Sequence, residues 1–160
     1  MTGLRGIEPE LPTHAKRERV EVAEIERRGG CACGQLTFHT RGEPLRVGLC
    51  HCLTCRKTSG SAFNVFAIFP DDRVEITGAM EGWRASPESE RCFCPRCGSQ
   101  VLAREGGETE IRLGAFDEPN LFTPTYEAWI GRRERWLRLP GLTGYPRNRL
   151  DGTPGAPSEA

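Results

Sequence analysis

The chain has 160 residues with 22 basic and 22 acidic side chains, 37% hydrophobic residues and 8 cysteines, which predicts one domain with its own apolar core. Zero net charge disfavours a nucleic-acid partner, because binding a phosphate backbone normally needs a strongly basic face. The sequence lacks a run of about 18 apolar residues that would predict a membrane span, and residues 1–20 lack the apolar stretch of a secretory signal, so we expect a soluble cytoplasmic protein.

Short runs of alternating hydrophobicity along the chain predict a mainly β domain. Residues 1–19 are charged and contain proline, which predicts a disordered lead-in to a single domain over residues 20–150. The runs are rich in β-branched and aromatic residues, and they cover residues 20–22 with Ile25, then 36–40, 64–69, 73–77 and 110–113. Helical candidates are Leu53–Ser59 and residues 134–139, both too short for a helical layer. Residues 151–160 are rich in Pro and Gly and predict a disordered tail.

The eight cysteines fall into the groups Cys31-x-Cys33, Cys50-x-Cys52-x-x-Cys55 and Cys92-x-Cys94-x-x-Cys97. In a cytoplasmic protein such clustering indicates metal binding rather than disulfides. Cys94 and Cys97, followed by Gly98, form the turn of a zinc knuckle, in which glycine frees the backbone to turn. Cys31 and Cys33 place two thiolates on one side of an extended segment and need a partner pair. The simplest closure joins the two pairs in one four-thiolate site, which leaves no position for a substrate and is structural.

The middle group is the candidate for chemistry. Cys50, Cys52 and Cys55 offer three thiolates within six residues, and three protein ligands with one open position are typical of a catalytic zinc. Arg56 and Lys57 follow directly. They are expected either to bind a carboxylate of an anionic substrate or to be solvated surface cations.

The sequence leaves open the roles of one histidine and of several cysteines. His51 lies between two of the candidate ligands, so its ring is expected to point away from the metal and to pack or support the site rather than ligate. Cys92 could replace one of the first pair of ligands, complete the middle group, or remain a free buried thiol, which is the favoured interpretation. Without metal, Cys52 or Cys55 could act as a nucleophile.

Four segments resemble, in order and spacing, the glutathione-dependent formaldehyde-activating enzyme family, also called the centromere protein V/GFA domain; they are residues 29–38, 50–60, 91–99 and 114–119. The resemblance implies an Mss4-like fold of antiparallel sheets. It also implies two zinc ions per chain, a structural one on Cys31, Cys33, Cys94 and Cys97 and a second one on Cys50, Cys52 and Cys55. The activity it implies is condensation of glutathione with formaldehyde to S-hydroxymethylglutathione, which is classed with the carbon–sulfur lyases.

One segment departs from the family pattern. Family members often carry His-Ile-Trp shortly before a second tryptophan, whereas this chain has Glu127 in the place of that histidine, followed by Ala128 and Trp129, with Trp136 at the familiar interval. The departure predicts altered substrate contacts at Glu127.

Two hypotheses follow for the function. The first is a zinc-dependent carbon–sulfur lyase acting on an adduct between glutathione, or a similar thiol, and formaldehyde or another small aldehyde. The alternative is a non-catalytic zinc-binding interaction module of Mss4-like type, whose arginine-rich segment over residues 132–149 contacts a partner.

Overall fold

The computed structural model describes residues 24–149 and 156–157. The predicted strand at residues 20–22, the predicted lead-in 1–19 and most of the predicted tail 151–160 lie outside these residues. The strands are β1 (Glu26–Gly30), β2 (Thr37–Arg41), β3 (Arg46–Cys50), β4 (Asn64–Pro70), β5 (Val74–Thr77), β6 (Glu81–Ser86), β7 (Ser89–Phe93), β8 (Gln100–Glu105), β9 (Glu108–Arg112), β10 (Tyr126–Ala128), β11 (Thr143–Tyr145) and β12 (Ala156–Pro157). One α-helix, α1 (Leu53–Ser59), and 3-10 turns at Asp71–Arg73, Leu113–Ala115 and Ile130–Arg132 complete the described elements.

The mainly β prediction is confirmed. Strands β2, β4, β5 and β9 occupy the runs that alternate in the sequence, and α1 occupies the predicted helix. The helix predicted at residues 134–139 is wrong. A hydrogen bond from the Leu137 N–H to the Glu134 carbonyl (3.0 Å) closes only a turn, and Trp136 is 70% exposed, so no apolar face is buried that could stabilise a longer helix.

The described strands form two sheets. The smaller has the order β1-β2-β5, and the larger has the order β12-β11-β10-β3-β4-β9-β8-β7-β6. Most neighbours are antiparallel, but β10 runs parallel to both β3 and β11. Because parallel neighbours end at the same edge of a sheet, the last residues of β3 and β10, Cys50 and Ala128, lie side by side.

Alternation along β4 separates two environments. Ala67 and Phe69 belong to the cluster that contains residues of both sheets, whereas Phe66 and Ile68 belong to a second cluster with Cys50. The opposite face of the large sheet thus carries a second apolar layer beside α1. No helix among the described residues is long and apolar enough to cross a membrane.

Candidate functional site

The four-cysteine group predicted from spacing is assembled. The sulfur atoms of Cys31, Cys33, Cys94 and Cys97 all lie within 4.8 Å of one another. The distance from Cys31 Sγ to Cys33 Sγ is 3.5 Å, and from Cys33 Sγ to Cys94 Sγ it is 3.7 Å. Sulfurs of a tetrahedral site with Zn–S bonds of about 2.3 Å lie about 3.8 Å apart. The donor set and its spacing therefore fit a zinc ion.

Two tight turns hold these sulfurs in place. Gly98 has φ +73°, and its N–H donates to the Cys94 carbonyl at 2.8 Å. The Ser99 hydroxyl accepts a hydrogen bond from the Ala32 N–H at 3.1 Å and so joins the two knuckles. Hydrogen bonding with the Ser99 hydroxyl and backbone lowers the pKa of Cys97 to about 5, which favours the thiolate form that a metal ligand needs.

The three-cysteine group sits where β3 passes into α1. The Cys52 N–H donates to Cys50 Sγ (3.4 Å), and the Cys55 N–H donates to Cys52 Sγ (3.3 Å), which caps the first turn of α1. The three sulfurs lie within 4.8 Å of one another. Cys50 and Cys55 are buried and Cys52 is half-buried, so the group is closed on the protein side.

Proximity of the three sulfurs sets their ionisation. Hydrogen bonds from Cys50 and Cys55 lower the pKa of Cys52 to about 2. The same hydrogen bonding with Cys52, together with burial, raises the pKa of Cys50. Because a metal ion must displace the Cys50 proton, metal binding to this group weakens as the pH falls.

His51 belongs to a buried hydrogen-bonded network and is not among the clustered sulfur ligands. Its Nε2 lies 2.8 Å from Glu127 Oε2, and both side chains are fully buried. Arg133 Nη1 donates to Glu127 Oε1 at 2.7 Å. The structure thus places Glu127 in the protein interior, where it supports the three-cysteine loop; the altered substrate contacts predicted for this position stay a prediction. A carboxylate within an apolar strand is the sequence signal for such a network, because a buried charge needs partners.

Arg56 and Lys57 do not line the cleft described next. The Arg56 guanidinium donates to the Ala62 carbonyl (3.2 Å) and the Arg132 carbonyl (3.1 Å) and pairs with Glu134. Lys57 is exposed on α1. A substrate-binding role for this pair stays a prediction, and Arg56 also ties α1 to the loop that follows β10.

Cys92 stands apart from both metal-ligand groups. It is 1% exposed and packs in the core between the sheets. Burial raises the pKa of its thiol, as in a cysteine that serves as a small apolar side chain. The structure therefore places Cys92 as the free buried thiol.

A cleft of about 850 Å³ opens beside the three-cysteine group. Its floor is the outer face of the large sheet, including Phe66, Ile68 and Glu110, and its far end is the turn between β6 and β7. Cys50, Cys52 and Cys55 all line it. The three-cysteine group thus opens into a space large enough for a small molecule.

The cleft contains charged side chains that sequence analysis did not single out. Arg46 makes a bidentate ion pair with Glu108, Nη1 to Oε1 at 2.9 Å, and this pair lowers the pKa of Glu108. Arg91, Arg132 and Arg149 also line the cleft; within the described ranges none of the three has a carboxylate at ion-pair distance. The signal available in the sequence was the basic segment 132–149, but only the fold shows which of its arginines face the cleft.

Tyr126 forms part of the same wall. Its ring lies against Gly48 of β3, and a Cβ at Gly48 would be only 2.3 Å from the ring. The side chain is 6% exposed, and burial raises the pKa of its phenol to about 12. The hydroxyl is therefore protonated, and a hydrogen-bond donor, at neutral pH.

Comparison with known proteins agrees with this arrangement. The sequence model of a family described as "Glutathione-dependent formaldehyde-activating enzyme" matches residues 26–132, which is more than half of the chain and includes all eight cysteines. The chain belongs to this family. An uncharacterized lyase of Schizosaccharomyces pombe is 26% identical over 106 residues, covering 66% of this chain and 77% of that relative. Membership of the glutathione-dependent formaldehyde-activating enzyme family and the name of this relative support a lyase-type enzyme, and both cysteine groups could hold a metal ion.

Proposed function

We propose that the protein is a zinc-dependent carbon–sulfur lyase that forms or cleaves the adduct between a glutathione-like thiol and formaldehyde or another small aldehyde. The observation that carries the proposal is the three-cysteine group lining a cleft of about 850 Å³. Three sulfurs leave one coordination position for a substrate atom, in contrast to the four-cysteine group, which is complete.

Cys50, Cys52 and Cys55 would hold the catalytic ion, and the four-cysteine group would hold the structural one. When bound in the cleft, zinc supplies a positive charge that favours the thiolate form of a substrate thiol and withdraws electrons from a carbonyl oxygen. The protein fixes this position through the N–H groups that donate to Cys50 and Cys52 and through the buried network of His51.

Charge in the cleft supports a peptide-like thiol as the substrate. Glutathione carries two carboxylates and one ammonium group. Arg132 and Arg149 line the cleft on the side of the loops after β10 and β11, while Arg91 and Glu88 line its far end. Arginines at both ends suit the two carboxylates of such a thiol, because bidentate arginine contacts favour carboxylates, and Glu88 offers a carboxylate to its ammonium group.

The proposed reaction balances without an oxidant or reductant. In the condensing direction the thiol sulfur bonds to the carbonyl carbon, the π electrons of the C=O bond move to oxygen, and the proton lost by the thiol ends on that oxygen. Cleavage is the reverse. The chain holds both reactants in the cleft, which replaces a bimolecular encounter with a fixed geometry.

NMR exchange spectroscopy tests the proposal. The purified protein is added to glutathione and formaldehyde, and the rate of exchange with S-hydroxymethylglutathione is compared with the spontaneous rate. We expect the wild type to accelerate this exchange and Cys52→Ser to leave the spontaneous rate unchanged. If the arginines of the cleft bind the carboxylates of glutathione, Lys57→Ala should accelerate the exchange as the wild type does. A wild-type protein that carries two zinc ions and leaves the spontaneous rate unchanged would overturn the lyase proposal and favour the interaction module.

A further inference from the structure

Tyr126 is held across β3 by an unusual close contact. In the parallel register of β10 and β3, Tyr126 lies opposite Gly48. A Cβ added to Gly48 would lie 2.3 Å from the ring atom Cζ, 2.4 Å from Cε1 and 2.7 Å from Cε2. The hydroxyl-bearing end of the ring therefore covers Gly48, and Tyr126 lines the cleft on the outer face of the sheet. Glycine at this position permits the approach.

Neighbouring rings and charges fix the phenol in that orientation. Phe66 and Tyr145 contact its ring edge-to-face, with centroids 6.3 Å and 6.0 Å away, and the Arg149 guanidinium carbon lies 5.6 Å from the ring centroid. The charged groups that act on its hydroxyl are Arg46, Glu110 and Arg149. A buried phenol surrounded in this way has few alternative rotamers.

The phenol and the metal-ligand sulfurs share one space. Tyr126 belongs to the same apolar cluster as Cys50 and Cys55, and all three line the cleft. Among the residues that the structure describes, no acceptor hydrogen-bonds to the Tyr126 hydroxyl, and the neighbouring Arg46 can only donate. A hydroxyl that is buried beside a donor has its own proton available for a ligand in the cleft.

We propose that the Tyr126 hydroxyl donates a hydrogen bond to the aldehyde-derived oxygen of the bound thiol adduct, so that Tyr126 selects the hydroxymethyl group. The inference rests on the proposed function and deepens it. As the carbon–sulfur bond forms, negative charge grows on the carbonyl oxygen, and a donor at that oxygen stabilises it. Tyr126 keeps its own proton, while the thiol proton ends on the oxygen, so the atoms balance as above.

The chain contains two tyrosines, and they supply a variant and its matched control. Tyr126→Phe removes the hydroxyl and keeps the ring, whereas Tyr145→Phe removes a hydroxyl from the contacting ring that does not line the cleft. Zinc-loaded full-length proteins are titrated calorimetrically with S-hydroxymethylglutathione in excess formaldehyde, and with S-methylglutathione at the same formaldehyde concentration.

We expect the wild type and Tyr145→Phe to bind the hydroxymethyl compound roughly three- to tenfold more tightly than the methyl compound, which is the ratio that one hydrogen bond gives. Tyr126→Phe should bind both compounds equally. Its kcat for glutathione–formaldehyde exchange should fall roughly 100-fold with a smaller change in KM, because the hydrogen bond strengthens in the transition state.

The outcomes separate this inference from the proposed function. A wild-type protein that accelerates exchange, together with a Tyr126→Phe variant that keeps both the binding preference and kcat, would overturn the role of Tyr126 and leave the lyase proposal standing. A wild-type protein that binds neither compound would overturn both. Equal loss of preference in Tyr126→Phe and Tyr145→Phe would assign the effect to packing and also overturn the hydrogen bond.

Discussion

At the scale of single residues, the missing side chain of Gly48 shapes the cleft. The space that a Cβ would fill is taken by the ring of Tyr126, so one glycine in the middle of β3 decides where a phenol on β10 can lie. Glycine in a strand interior weakens the strand on its own, and this cost is offset by the close packing of an aromatic ring on the bare backbone.

Gly48→Ala should therefore displace Tyr126 and destabilise the fold by about 1–3 kcal/mol, the range for overpacking a well-packed site. Urea denaturation measures the change in free energy of unfolding, and near-UV circular dichroism reports the tyrosine environment. Gly114→Ala is the control, because a Cβ there meets nothing within 4 Å. Equal stability of the two variants, with an unchanged tyrosine spectrum, would contradict the close contact.

The Arg46–Glu108 pair makes a pH-dependent contribution. Because the guanidinium lowers the pKa of Glu108, the pair adds stability above the carboxyl's unfolded value of about 4.3, and this stability is lost as the pH falls through the lower folded value. Glu108→Gln should cost about 1 kcal/mol at pH 7, and the difference should shrink below about pH 4.

Urea denaturation over a pH series checks this expectation. Glu43→Gln is the control, because it removes the carboxylate of the Arg27–Glu43 ion pair, in which Glu43 is largely exposed. It should change the free energy of unfolding by at most about 1 kcal/mol. A Glu108→Gln difference that stays constant from pH 7 to pH 3 would show that the ion pair is not its source.

At the scale of elements, two links join the three-cysteine loop to the segment after β10. One is the buried network of His51, Glu127 and Arg133. The other is Arg56, which reaches from α1 to the Arg132 carbonyl and to Glu134. Since Arg132 lines the cleft, these links hold one wall of the cleft at a fixed position relative to the sulfurs.

Glu127→Ala should destabilise the protein by about 3–5 kcal/mol, because it leaves His51 and Arg133 without their buried carboxylate partner. It should also weaken metal binding at the three-cysteine group while the four-cysteine group keeps its ion. Cobalt substitution followed by absorption spectroscopy measures metal binding at each of the two cysteine groups in turn. Glu134→Gln, at a more exposed ion pair, is the control and should cost about 1 kcal/mol or less; an equally small effect at Glu127 would contradict the network.

At the scale of the whole molecule, the two cysteine groups differ in how far apart along the chain their members lie. The four-cysteine group joins positions 61 residues apart, whereas the three-cysteine group lies within six residues at one edge of a sheet. Metal binding at the first group closes a long loop and contributes directly to folding. Metal binding at the second group completes the wall of a cleft.

Cys94→Ser should therefore lower the free energy of unfolding by several kcal/mol, whereas Cys52→Ser should give a folded protein with one zinc fewer. Thermal unfolding and zinc analysis of both purified variants make the comparison. An equal loss of stability in the two variants would contradict this division between a structural and a catalytic group.

The sequence was sufficient to predict which cysteine sulfurs cluster and where α1 lies, because cysteine pairs at knuckle spacing and a seven-residue helix are recognisable from short segments. The cleft was not predictable in the same way. All of β6 is exposed and shows no apolar alternation, so the hairpin that closes the far end gave no signal. The parallel pairing of β10 with β3 joins positions 78 residues apart, and the positions of Tyr126 and Glu127 depend on that pairing.

The different spans of the two cysteine groups also set an order in time. A chain emerging from the ribosome presents Cys50, Cys52 and Cys55 together, complete as a chelating segment, well before Cys94 and Cys97 are made. The three-cysteine group could therefore bind a metal ion while the chain is still being made, whereas the four-cysteine group is complete only after Cys97 has been added.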